Sequence, residues 1–400
     1  MTDTTFAGLT PAPADPILGV TEKFRADPRP QKVNLGVGVY LTEEGKTPLL
    51  EVVKEAEIAL AQSDQPHGYI PINGLPGYCS AVQKMIFGAE SEVVQSGRAV
   101  TVQTLGGTGA LKVGMDFMHG ICGETRAVTS KPTWGNHNAL LKFAGYEVGG
   151  YRYYDAANDG VDFEGMIADL KALPAKTLVV LHSCCHNPTG YDLSAEQWEE
   201  VIDVCRKGEL TPFLDMAYQG FRDGLEEDAA AIHQFAASGL DFLLSTSFSK
   251  SFNLYGERIG ALTVVTQSAA EAAVVLTQLK AVIRANYSNP PSHGARIVER
   301  VLTDPAKYQQ WLGELAAMRN RIRTMRKALA DEMARLGSKR DFSFVTRQNG
   351  MFSFTGLSPE QIDRLADEFG IYAVRNGRIC ICGLNTRNVA YVAKSIASVL

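Results

Sequence analysis

The sequence predicts an α/β fold, with a mostly parallel sheet between helices and a second, smaller α+β domain. Between about residues 95 and 265, short β-rich runs alternate with amphipathic stretches, as in a parallel sheet covered on both faces. Beyond about residue 305 the alternation gives way to one long helical pattern, then to short strands and helices intermixed. The chain has 400 residues, more than the roughly 100–200 that one domain organises.

Seven β-rich runs are expected: Ala99–Gln103, Ala127–Thr129, Glu147–Tyr151, Leu178–His182, Pro212–Asp215, Phe242–Ser245 and Ile259–Val265. Among the helices, Ala195–Arg206 places Trp198, Val201, Ile202 and Cys205 at helical spacing behind a Ser194/Gln197 capping box. A second box, Ser268/Glu271, opens a helix running to about Ile283. From Pro305 to Leu336, Trp311, Leu315, Met318, Ile322, Met325 and Leu329 recur at steps of three and four, a core-facing stripe. The arginines of that helix (Arg319, Arg321, Arg323, Arg326) are expected on a solvated face. Short strands come next, near Phe342–Val345, Met351–Thr355, Ile371–Val374 and Arg378–Cys382. Helices are expected at Pro359–Phe369, stopped by Gly370, and at Thr386–Val399. Residues 1–45 show several prolines and little helical period, and read as an arm and connecting segment.

Lys and Arg number 39 and Asp and Glu 44, a formal charge of −5 with no basic tract or acidic tail. That balance argues against a nucleic-acid or membrane-surface partner. Apolar residues make 45% and charged residues 21%, which excludes disorder as the main state. The start, MTDTTFAGLT, has no basic segment before an apolar run, so no secretory signal is expected. No apolar stretch approaches the roughly 20 residues that span a bilayer. Seven cysteines without a CxxC pair suit a thiol-reduced, cytoplasmic protein.

In an open α/β sheet, ligands bind outside the carboxyl ends of the strands. The residues just past each run are therefore informative. After the first run comes Gly106-Gly107-Thr108-Gly109, and after the second Pro132-Thr133-Trp134-Gly135-Asn136-His137. The fourth leads to Cys184-Cys185-His186-Asn187-Pro188-Thr189-Gly190, and the fifth into Asp215-Met216-Ala217-Tyr218. The sixth leads to Ser247-Phe248-Ser249-Lys250, with Arg258 eight residues beyond the lysine. Singly these are ordinary. A glycine-rich turn lacking the Walker or GxGxxG spacing is usually a tight loop, and Asn-Pro is usually a turn. His182, Cys184, Cys185 and His186 lack the second ligand pair of a zinc site, so no metal is expected.

Together they answer one chemical problem. A lysine amine forms a Schiff base with an aldehyde. A phosphate wants helix N-terminal amides, hydroxyls and an arginine, which Gly107, Thr108, Ser247, Ser249 and Arg258 supply. An aromatic ring wants a stacking partner in Trp134. A pyridine nitrogen that stays protonated wants a carboxylate, Asp215, and a phenolate oxygen wants donors such as Asn187 and Tyr218. The ligand so described is pyridoxal 5′-phosphate.

With these residues in place, the sequence resembles the aspartate/aromatic branch of the class I, fold-type-I aminotransferases. The stretches that carry the resemblance are Val33–Tyr40 (VNLGVGVY), Gln103–Gly114 (QTLGGTGALKVG), Ser183–Gly190 (SCCHNPTG), Asp215–Phe221 (DMAYQGF), Ser247–Ile259 (SFSKSFNLYGERI), Arg284–Pro291 (RANYSNPP), Asn349–Phe354 (NGMFSF) and Arg378. They run in order along nearly the whole chain. The resemblance implies that Lys250 carries the cofactor and shuttles the substrate proton, with Asp215 on the ring nitrogen, backed by His137. Asn187 and Tyr218 would bind the ring oxygen, Trp134 would stack, and Gly107, Thr108, Ser247, Ser249 and Arg258 would hold the phosphate. Tyr69 would reach the phosphate of a neighbouring subunit, which implies a homodimer. Arg378 would clamp the α-carboxylate with help from Gly38 and Asn187, and Arg284 of the partner chain would meet a side-chain carboxylate. Without the resemblance, Arg378 reads as a surface salt bridge and Arg284 as a helix C-terminal charge.

The resemblance also implies an arm at 1–14, a small domain of 15–45 and 315–400, and a large cofactor-binding domain of 46–314. Gln103–Gly107, Ser247–Lys250, Leu254–Arg258 and Cys382–Thr386 look like the aromatic enzymes, whereas Val39, Thr108 and Asn289 look like the aspartate enzymes. The expected activity is transamination between phenylalanine, tyrosine or aspartate and 2-oxoglutarate. A strict aspartate aminotransferase is the alternative.

Overall fold

The computed structural model describes residues 4–12, 18–64 and 66–400. Part of the expected arm therefore lies outside the described residues. All seven expected runs form one sheet: β1 (Ala99–Leu105), β2 (Arg126–Lys131), β3 (Glu147–Arg152), β4 (Thr177–His182), β5 (Thr211–Met216), β6 (Phe242–Ser247) and β7 (Ile259–Val265). Their order is β1-β7-β6-β5-β4-β2-β3. β7 is antiparallel to both its neighbours, and the other pairs are parallel.

Both faces are covered, which is why the central strands read as continuous apolar runs. Leu178 and Val180 of β4 pack in a core with Leu111 and Ile283, whereas Val179 and Leu181 pack in the opposite core with Val201 and Ile202. The helix Gly106–Gly120 lies close to the sheet: a Cβ at Gly114 would stand 2.5 Å from the Phe213 ring. The Ser194/Gln197 capping box forms as expected. At Ser268 only half of the second box forms, because the Glu271 carboxylate accepts the N–H of Gln267 instead of Ser268.

The long helix Pro305–Arg335 buries the whole expected stripe and Met333 as well. Its arginines correct the expectation of a solvated face. Arg319 donates to the Gly220 carbonyl at 2.8 Å and Arg321 to the Leu384 carbonyl at 2.8 Å, while Arg326 is buried. Arg323 alone of the four is exposed, beside Asp223 at 2.7 Å. Long guanidinium side chains reach over the helix flank to carbonyls of other segments, which a helical-period argument does not register.

In the C-terminal part, Phe352–Phe354 pairs antiparallel with Arg378–Cys380, and Ile371–Tyr372 pairs parallel with Val33–Asn34. The strand expected at Phe342–Val345 is instead a 3-10 turn, Ser343–Arg347. Asp341 accepts both the N–H and the hydroxyl of Ser343, at 2.8 and 2.6 Å, and starts that turn. The last helix begins at Val389, not Thr386, because the Asn385 side chain first takes the N–H groups of Arg387 and Asn388. A helix at Leu18–Ala26 stands where no helical period was read. Among the described residues no helix is long and apolar enough to cross a membrane.

Candidate active site

Strand polarity decides which residues meet. β1, β2, β4, β5 and β6 all end at one edge of the sheet, and antiparallel β7 begins there. Arg258, the residue before β7, thus arrives beside the exits of β1 and β6. The register pairs Ile259 with Leu105, and Gly260 with both Thr104 and Ser247. Gly106 sits under the Arg258 guanidinium at φ +68°, and a Cβ there would stand 2.7 Å from Nη2. Only a glycine takes that backbone at that distance without strain.

One cavity at this edge is lined by Gly38, Gly107, Thr108, Trp134, Asn187, Asp215, Tyr218, Ser247, Ser249, Lys250, Arg258 and Arg378. The sequence-predicted residues are therefore together, with the exception of Tyr69 and Arg284. Tyr69 is 97% exposed and Arg284 is exposed on the last turn of the helix Ala269–Asn286. Of the three residues that look like the aspartate enzymes, Thr108 lines the cavity. Val39 instead accepts the Cys380 thiol on its carbonyl, and Asn289 donates to the Ile70 carbonyl at 3.2 Å.

Lys250 comes just after β6 and is anchored from behind. The indole N–H of Trp311 donates to the Ser251 carbonyl at 2.8 Å, and Trp311 stacks on Phe252 with centroids 4.5 Å apart. The Lys250 ammonium lies 5.0 Å from the centre of the Tyr218 ring. Burial, aided by the charges of Arg258 and Arg378 and opposed by Asp215, pulls the Lys250 pKa down to about 8.

Asp215 is buried on β5, where His137 Nε2 stands 3.0 Å from its Oδ2. Thr133 Oγ1 lies 2.8 Å from the other ring nitrogen of His137. With that hydroxyl donating to Nδ1, the proton is on Nε2 and points at the carboxylate. Burial pushes the Asp215 pKa up, but the His137 hydrogen bond and the nearby Lys250 charge outweigh it, and the carboxyl stays below its ordinary value. It is an anion at neutral pH.

Arg378 is 3% exposed, which overturns the surface salt-bridge reading. It donates to Asn187 Oδ1 at 3.3 Å and to the Gly36 carbonyl at 3.1 Å, and its guanidinium lies 4.1 Å from the centre of the Phe352 ring. Its Nε has no protein partner. Among the described residues no carboxylate pairs with it. A buried guanidinium held by neutral acceptors is costly unless an anion completes it. Because Arg378 occupies the Asn187 oxygen, the amide NH2 of Asn187 is left to donate elsewhere.

Arg258 donates to Ser249 Oγ at 3.3 Å and to the Tyr255 carbonyl at 3.2 Å, and the Ser249 N–H donates to Ser247 Oγ at 3.3 Å. Hydroxyls, a guanidinium and the first amides of Gly106–Gly120 are thus gathered at one end of the cavity. His182, Phe352, Ala217 and Leu111 also line it and were not predicted as site residues. Phe352 lies inside a quoted motif, but an aromatic residue on a short strand reads as core. His182 is buried with Nε2 unpartnered, and burial with the neighbouring His137 pulls its pKa down to about 3, so it is neutral. Its ligand atom lies within 4.8 Å of those of His137 and Asp215, and Cys184, Cys185 and Asp228 form a second such group. In both, the carboxylate already accepts protein hydrogen bonds, from His137 and from the N–H groups of Gly220, Arg222 and Asp223.

Residues 30–396 match the family Aminotransferase class I and II. The chain is similar to the aspartate aminotransferase of Pseudomonas aeruginosa, with 55% identity over 395 residues that cover 99% of each protein. It is 50% identical to the aromatic-amino-acid aminotransferase of Escherichia coli over 389 residues, 96% of this chain and 98% of that one. A crystal structure of an aromatic-amino-acid aminotransferase from Burkholderia pseudomallei, covalently bound to pyridoxal phosphate, superposes with a TM-score of 0.97 at 53% identity, covering 100% of both chains. Family match and near-complete coverage agree, and the chain belongs to the class I and II aminotransferases.

Proposed function

We propose that this enzyme transfers the amino group between an aromatic amino acid or aspartate and 2-oxoglutarate, using pyridoxal 5′-phosphate. The observation that carries this reading is Arg378, a buried and carboxylate-free guanidinium in the same cavity as the depressed Lys250 amine. An α-amino acid brings a carboxylate for the first and an amine for chemistry at the second.

The donor set fits the cofactor. Asp215 is an anion for a ring N–H, Asn187 has an amide NH2 to give to a ring oxygen, and Trp134 offers an indole face. Gly107, Thr108, Ser247, Ser249 and Arg258 offer phosphate donors. The unpartnered Arg378 Nε and His182 Nε2 are the orphaned polar atoms that a ligand in the cavity would satisfy. When bound, pyridoxal phosphate supplies an aldehyde for amine exchange and an electron sink for the α-carbon. Lys250 Nζ, unprotonated in a substantial fraction near its pKa of about 8, accepts the α-proton and returns it. His137 holds its proton on Asp215 and keeps that carboxylate ionised. Arg378 orients the amino acid by its α-carboxylate, in the two-pronged manner a guanidinium allows.

Residues 15–45 and 315–400 are taken as a small domain that closes over the substrate and excludes water, with 46–314 as the large domain. The pairing of Val33–Asn34 with Ile371–Tyr372 supports that grouping. The enzyme is taken to be a homodimer in which Tyr69 and Arg284 serve the neighbour's site. Both are exposed, and the Asn289 hydrogen bond to Ile70 holds their segments together. Exposed Leu49, Ile58, Phe143 and Val274 give a partner copy apolar surface to cover. A cytoplasmic location suits its seven free thiols.

The test is the visible absorption of the purified enzyme during titration with phenylalanine and then aspartate, without a keto acid. A cofactor band that either amino acid bleaches and 2-oxoglutarate restores is the expected result. A band that neither amino acid alters overturns the reading. Bleaching by aspartate alone favours the strict aspartate enzyme.

A further inference from the structure

Asp192 does not line the cavity, and nothing above uses it. Its side chain is 3% exposed. One oxygen accepts the N–H of His186 at 2.9 Å, and the other accepts Nδ2 of Asn349 at 3.0 Å, with Arg222 Nη1 at 3.9 Å. The same two segments meet again where the Asn349 N–H donates to the Gly190 carbonyl at 2.6 Å. Gly190 has φ +73°, and a Cβ there would stand 2.8 Å from that of Gln348. On the far side of the turn, Arg326 donates to the carbonyls of Gly350 at 2.8 Å, Asn349 at 3.2 Å and also Phe352.

From this turn the chain reaches Phe352, against which Arg378 is laid. Arg378 donates to Asn187, the residue after His186, whose N–H Asp192 holds. The contacts close a ring through Asp192, Asn349, Phe352, Arg378, Asn187 and His186. A carboxylate this buried, with its nearest guanidinium at the limit of ion pairing, is expensive in isolation. Its hydrogen bonds hold one loop from each side of Arg378 in a single register.

We propose that Asp192 is a positioning residue for substrate-carboxylate binding: it locks the 186–190 loop onto the 349–352 turn and so holds Arg378 between Asn187 and Phe352. The proposal rests on the reading of Arg378 as the α-carboxylate receptor. Asp192 and Asn349 are a donor–acceptor pair, so their identities can be exchanged. In the double variant D192N/N349D the hydrogen bond returns with its polarity reversed, while the amide oxygen introduced by D192N still accepts the His186 N–H.

The measurement is KM and kcat of the holoenzymes for phenylalanine, aspartate and 2-oxoglutarate, with the cofactor band and thermal midpoint recorded alongside. N349D, which sets two carboxylates face to face, and N349A are expected to raise KM for all three substrates by about tenfold, with kcat within about threefold and the cofactor band kept. The double variant is expected to bring KM back to within about threefold of wild type. Single variants that lower the thermal midpoint and leave KM unchanged overturn the proposal, as does a double variant no better than N349D. If N349D does not fold, N349A, at the same partly exposed position, decides the matter by itself. Wild-type enzyme inert towards all three substrates overturns instead the proposed function, and this inference with it.

Discussion

An amine that attacks an aldehyde must first lose its proton, and at residue scale that requirement falls on Lys250. With its pKa drawn down to about 8, the free amine is protonated at pH 6 and mostly unprotonated by pH 9. Uptake of pyridoxal phosphate by the cofactor-free protein should therefore speed up with pH, with a midpoint near 8 and a plateau above it, as followed by stopped-flow absorbance. A rate still climbing towards the ordinary lysine value of 10.5 would mean the site does not perturb the amine. Arg284 poses the complementary problem. A guanidinium buried beside a phenyl ring without an anion costs several kcal/mol, so an enzyme taking both substrate classes must let it swing to water. Its exposed seat at the helix end allows that. Arg284→Leu should cut kcat/KM for aspartate and 2-oxoglutarate by about a hundredfold or more, and for phenylalanine by less than about tenfold. Equal losses for the three in steady-state assays would remove Arg284 from side-chain recognition. Lys250 and Asp215 stood out in the sequence by residue type and by their place at strand ends, and the structure brings both to one cavity. The burial of Arg378 was not legible, because nothing in its local sequence separates a buried guanidinium from a surface charge.

Among the elements, the sheet strands were legible because burial on both faces imposes apolar runs, and the capping box at Ser194 because its signal is local. The turn at Ser343–Arg347 was not, since the alternating Phe342, Phe344 pattern imitates a strand and the Asp341 hydrogen bonds decide against it. At the sheet edge opposite the site, Glu124 precedes β2 and accepts the hydroxyl of Thr211 at the start of β5, with its second oxygen unpartnered and buried. Burial, opposed by the Thr211 hydrogen bond and Lys176, pushes its pKa from 4.5 up to about 7. A raised carboxyl pKa stabilises the fold fully below the unfolded value, and that contribution is lost as pH rises through the folded one. Glu124→Gln, neutral at every pH, should thus be more stable than wild type at pH 8 by on the order of 2–3 kcal/mol, and about equal at pH 4. Thermal melts at the two pH values check this, and a variant destabilised equally at both would show that the hydrogen bond outweighs the charge.

At the scale of the whole molecule, the proposed shared sites make a prediction that no single chain can satisfy. Lys250→Ala and Arg284→Leu chains are each expected to be inactive or nearly so with aspartate. Unfolded together and refolded at equal amounts, half the dimers pair one of each, and each such hybrid holds one site with both residues intact. About a quarter of wild-type aspartate activity should return; no recovery, with mixed dimers verified by tagged pull-down, would place both residues in one chain's site. The sequence by itself determined the α/β class, the seven strands of the sheet, the stripe of the long helix and the residue types of a pyridoxal site, because these arise from periodicity and from chemistry written in short contiguous motifs. Tertiary structure alone decided which of those motifs meet. The reversed direction of β7 brings Arg258 beside Ser249, and the Phe354–Arg378 pairing carries a distant arginine against Phe352 and Asn187. Strand direction, burial and contacts between segments far apart in the chain depend on how the whole chain packs, and no local pattern of residues encodes them.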